Sequence, residues 1–183
     1  MKEKKRGLRS VRTLTTAAML TALSIIIGSF SERFLDFGVV RLTFENFPII
    51  LSGILYGPIV GGLVGLTSDL VSSWFAGNNA DIIIAVGAAL MGVVPGIISH
   101  YVMKKEGILR IVVSAGAAHA VGSMIVKSIG LHFLTNNEKT LIAIILGRIP
   151  VYLAIAAVEI FLLCFLFKKT SYRKLFYGKG ELK

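Results

Sequence analysis

Apolar runs recur six times along this 183-residue chain, over 13–30, 44–56, 59–75, 82–103, 108–134 and 141–167. Hydrocarbon offers the backbone no water, so a run that enters a bilayer must close its own hydrogen bonds as a helix. The pattern predicts an all-α, polytopic membrane protein with six transmembrane helices. The second run is short, and Gly57-Pro58 turns it tightly into the third. One membrane-embedded domain is expected over residues 1–183, with basic tails at 1–12 and 168–183.

The formal net charge of +10 raises the question of nucleic acid. The cations sit in tails and loops rather than on a folded basic face, so no nucleic-acid partner is expected. Residues 1–12 hold six Lys or Arg, 104–110 three and 168–183 six, against only Arg33, Arg41 and Lys139 in the alternate loops. Positive loops stay inside, so both termini are expected to be cytoplasmic and the chain multi-pass in the cell membrane. The N-terminal run follows a basic segment but lacks a small-residue cleavage pattern, so it reads as a first helix. The single cysteine, Cys164, excludes an internal disulfide, and no metal-ligand spacing occurs. No nucleophile–base constellation or phosphate-binding loop is present either, so neither an enzyme nor a self-powered pump is expected.

The stretch LYGPIVGGLVGLTSDL poses the next problem. Gly62, Gly65 and Asp69 are three and four residues apart and share a helix face. Gly57, Gly61 and Gly65 add GxxxG spacing, which lets helices approach closely where hydrophobicity cannot drive association. The carboxylate of Asp69 is therefore expected to point into the bundle. Gly116, Ala120, Ser123 and Lys127 form a similar small-residue stripe, which turns Lys127 inward as well. Arg148 lies about 10 Å inside the last run, just before Pro150. Arg41 and Glu45 sit at the outer start of the second run; Trp74 lies near the outer end of the third, and Asn78 and Asn79 follow in the outer loop. These groups converge on the outer half of the bundle. A cavity of Arg41, Glu45, Asp69, Trp74, Asn78, Asn79, Lys127 and Arg148 suits a small polar anion. Glu159, His100 and His119 lie deeper and are left without a role. On the first run, Ala18 and Ala22 form a small patch on which another helix can dock.

The segment VRLTFENFPIILSGILYGPIVGGLVGLTSDLVSSW, with AMLTA on the first helix, resembles the substrate-binding S component of energy-coupling-factor vitamin transporters. FPIILSGILYGP and GxxxGLxxDL are similar to the folate family in particular. The resemblance implies capture of a vitamin, folate first, from outside. It also implies docking through Ala18 and Ala22 onto a transmembrane coupling subunit that works with two ATPases. ATP is then spent by those partners, and this chain carries no cofactor or metal of its own. Two further readings stay open: an S component for another vitamin or small heterocycle, and a membrane scaffold whose polar groups only join helices.

Overall fold

The computed structural model describes residues 11–34, 44–75, 77, 81–103, 107–135 and 141–169. Among them all regular structure is helical: α1 (Val11–Phe34), α2 (Asn46–Tyr56), α3 (Pro58–Phe75), α4 (Ile82–Ile97), α5 (Ile108–Ala118), α6 (Lys127–Thr135) and α7 (Leu141–Lys169). A π-helical turn, Ile98–Val102, extends α4, and a second, His119–Val126, joins α5 to α6. The described helices thus form six rods at the places the apolar runs predict. Four contain stretches long and apolar enough to cross a membrane: Val11–Ser31, Ile82–Val102, Ile108–Gly130 and Ile149–Lys168. α2 is too short to span, and α3 exchanges bulk for glycine, serine and Asp69 along its buried face.

Gly57 turns α2 into α3 in a single residue. Its φ of 92° is a left-handed value that a side chain resists, and its N–H bonds the Gly53 carbonyl at 2.9 Å. α2 and α3 are consequently antiparallel neighbours, and α4 packs against both. That contact is backbone on backbone. A methyl group on Gly92 would overlap the Gly61 carbonyl, and one on Gly65 would overlap that of Ala88. At the opposite end of α4, the Asp81 side chain caps the helix by accepting from Ile83 N at 2.7 Å and Ile84 N at 3.1 Å. Ile49, Ile50, Ile54, Val60, Val64, Met91, Ile111 and Leu163 fill the apolar centre.

The stripe expected on the fifth run is corrected. Ser123 and Lys127 face inward, but Ala120 is exposed and a methyl group on Gly116 would meet nothing within 4 Å. The cause is the π-helical segment: each wider turn takes in an extra residue and shifts the inward face. Ala115, Ala118, His119, Gly122 and Ser123 occupy that face instead.

Candidate functional site

Glu45 stands twelve residues before Gly57, and Asp69 twelve after it. On two antiparallel helices joined at Gly57, that spacing brings both carboxylates to one depth, about 18 Å from the turn at 1.5 Å per residue. Lys127, the first residue of α6, enters between them. Its Nζ lies 3.3 Å from Glu45 Oε1 and 3.5 Å from Asp69 Oδ1. All three residues are buried, with exposures of 2% for Glu45, 5% for Asp69 and 6% for Lys127. One ammonium between two carboxylates leaves a formal charge of −1 when all three are ionised.

Two glycines make room for these side chains. A methyl group on Gly87 of α4 would stand 2.7 Å from Lys127 Cγ. One on Gly28 of α1 would stand 2.5 Å from Glu45 Oε2 and 3.1 Å from Ser72 Oγ. Ser24, one turn before Gly28, donates to the Glu45 carbonyl at 2.9 Å. Asn46, Ser68, Ser72, Ser73 and Ser128 are buried as well, so the trio lies in a polar pocket of the bundle rather than against lipid. The spacing rules that turn Asp69 inward give no signal for Gly28 or Gly87, because their importance arises from side chains on other helices.

The remaining candidates separate from the trio. Trp74 is 75% exposed and packs on its neighbour Phe75, with ring centroids 5.5 Å apart. Arg41, Asn78 and Asn79 lie outside the described residues, and of Arg148 only the backbone, within α7, is described. Ala18 and Ala22 are exposed on α1 beside Leu14, Met19, Leu23 and Ile26, while Ala17 turns to the core. A second buried polar pair was not anticipated: His119 Nε2 lies 2.7 Å from Glu159 Oε2. His100 Nε2 lies 3.1 Å from the Ile54 carbonyl, near the end of α2.

A helical bundle with membrane-spanning rods and an acid–base trio buried among polar side chains defines a multi-pass membrane protein. Residues 12–168 match the family model for the substrate-specific component of ECF transporters, and the chain belongs to that family. It is therefore a transport component of the cell membrane, not an enzyme, and its partners are other ECF transporter subunits. The chain is 24% identical over 137 residues to a protein named folate transporter FolT from Clostridium novyi (strain NT), covering 71% of this chain and 74% of that one. It is 31% identical over 97 residues to an uncharacterised protein, the MG098 homolog of Mycoplasma pneumoniae (strain ATCC 29342 / M129 / Subtype 1). That match covers 48% of this chain but only 20% of the longer protein. Its fold is similar to the crystal structure of FolT bound with folic acid, with a TM-score of 0.70 at 18% identity, over 88% of this chain and 95% of that one.

Proposed function

We propose that this chain captures folate, or a close relative of it, from outside the cell for ATP-driven uptake. The Glu45–Lys127–Asp69 trio carries the reading. A pterin ring presents an amino group and a ring N–H side by side, and paired donors of this kind suit a buried carboxylate. The relative named as a folate transporter and the fold shared with a folic-acid complex support the same ligand. Lys127 is already held by two carboxylates, so the ring, rather than the dianionic glutamate tail, belongs at the trio. To the rest of the ligand we assign Arg41, Trp74, Asn78, Asn79 and Arg148, the two arginines by their charge to its anionic tail. We infer one membrane-embedded unit of six spans with both termini cytoplasmic, as the bias of Lys and Arg supports. A transmembrane coupling subunit and two ATPases complete the transporter, docking at Ala18 and Ala22 and supplying the ATP hydrolysis.

The test is calorimetric titration of the purified full chain with folic acid and, separately, with its pterin and p-aminobenzoyl-glutamate halves. The pterin half is expected to compete with folic acid and to lose affinity at least tenfold in Asp69→Asn. Binding of the tail half alone, unchanged in Asp69→Asn, would reverse the assigned orientation. No binding of folic acid or either half would remove folate as the ligand.

A further inference from the structure

The His119–Glu159 pair plays no part in the site described above. It joins the π-helical segment to α7 at the centre of the bundle, with Glu159 0% and His119 3% exposed. The second atom of each group, His119 Nδ1 and Glu159 Oε1, is buried without a hydrogen-bond partner. A carboxylate accepts several hydrogen bonds when ionised, yet Glu159 has a single donor within reach. Its other oxygen faces protein in a membrane span, where an uncompensated charge is among the most unfavourable features a helix can carry.

Among the described side chains, none but His119 brings positive charge to Glu159. Among the described residues, the other buried charged side chains are Glu45 before α2, Asp69 on α3 and Lys127 at the start of α6. Lys127 is shared between two carboxylates, and Glu45 is itself an anion. α4 carries titratable groups only near its ends, Asp81 at the helix cap and His100 on the Ile54 carbonyl. Arg110 begins α5, and His132 lies beyond Lys127 on α6. On α7, Lys168 is nine residues from Glu159 and Arg148 eleven, about 14 and 16 Å along the helix.

We propose that His119 and Glu159 form a buried proton-binding site that holds one proton between them, so that the pair is electrically neutral in the folded bundle. The proton is taken from water on folding and returned on unfolding. Whether it resides on the imidazole or on the carboxyl, the pair's net charge is zero. The proposal is independent of which ligand the trio binds.

The test compares reversible unfolding of the purified wild type and Glu159→Gln across pH. Above about pH 7.5 an unfolded imidazole and an unfolded carboxyl have both released their protons. A folded pair that keeps one proton then binds one more than the unfolded chain, so stability falls as pH rises. Glu159→Gln holds no such proton, and groups common to both proteins cancel in the comparison. The unfolding constant of the wild type divided by that of Glu159→Gln is expected to rise tenfold per pH unit in this range. A ratio that stays constant overturns the proposal, because it means a bare carboxylate beside a neutral imidazole. Should Glu159→Gln fail to fold, His119→Leu with Glu159→Leu serves as the reference. It leaves no stranded polar atom, and the same tenfold slope is expected.

Discussion

Lys127→Met removes the ammonium of the trio and keeps most of the side chain's length. At 3.3 and 3.5 Å, with an effective dielectric of about 20, each attraction is worth about 5 kcal/mol before desolvation is counted. The loss has a ceiling, because stranded carboxylates take up protons. At pH 7 protonating a carboxyl of ordinary affinity costs about 4 kcal/mol, so the ceiling for both is about 8 kcal/mol. Breaking a buried pair by removing one partner destabilises by about 3–5 kcal/mol, which is the expected loss at neutral pH. The sign with pH follows. That loss matches one protonation of about 4 kcal/mol, so folded Lys127→Met holds one proton between Glu45 and Asp69 that the unfolded chain, above the ordinary carboxyl range, does not. Its unfolding constant relative to wild type therefore rises with pH, by up to tenfold per unit between about pH 5 and 7. Acidification stabilises the variant, and adding Glu45→Gln and Asp69→Asn removes the pH dependence. The assay is detergent-titrated unfolding followed by circular dichroism. Wild-type stability in Lys127→Met at neutral pH, or a loss indifferent to pH, would refute the reasoning.

Folic acid at 100 times its dissociation constant is expected to stabilise the purified chain by about 2.7 kcal/mol in the same unfolding assay. Gly87→Ala places a methyl group 2.7 Å from Lys127 Cγ and is expected to destabilise by about 1–3 kcal/mol and weaken folic-acid binding, both read by titration. Gly116→Ala, where the methyl group meets nothing within 4 Å, is the matched control and leaves binding unchanged. Gly92→Ala drives a methyl group into the Gly61 backbone, which cannot rotate away, and is expected to abolish the folded protein in expression tests. Ala18→Trp with Ala22→Trp is expected to abolish co-purification with the coupling subunit while folic-acid affinity stays within about twofold, since both alanines are exposed and neither touches the trio.

The rods were legible because a bilayer leaves the backbone little choice but helix, and apolar length reports that directly. Asp69 was legible because glycines four and seven residues earlier, Gly65 and Gly62, mark the face that must be buried. Lys127 also faces inward, but half of the stripe used to place it does not: Gly116 and Ala120 point elsewhere once the π-helical turns intervene. A phase shift of that kind leaves no trace in a period-3.6 reading. The His119–Glu159 pair was out of reach for another reason. The two residues are forty positions apart, and each alone resembles an isolated polar residue on an apolar helix. Gly28 and Gly87 matter only for what other helices push against them.

The glycine contacts among α2, α3 and α4 also determine how the molecule can move. Packed helices slide when side chains change rotamer across a separation of about 8–10 Å between axes. Where the backbones of Gly61 and Gly92 meet directly, no side chains stand between the helices to act as bearings. Helices α2, α3 and α4 accordingly behave as one slab, with Glu45 and Asp69 fixed relative to each other. Lys127 arrives from a different rod, downstream of the wider π-helical turns. Any rearrangement that loosens the grip on a ligand thus falls to that rod and to α1, which move against the slab or carry it with them through the membrane.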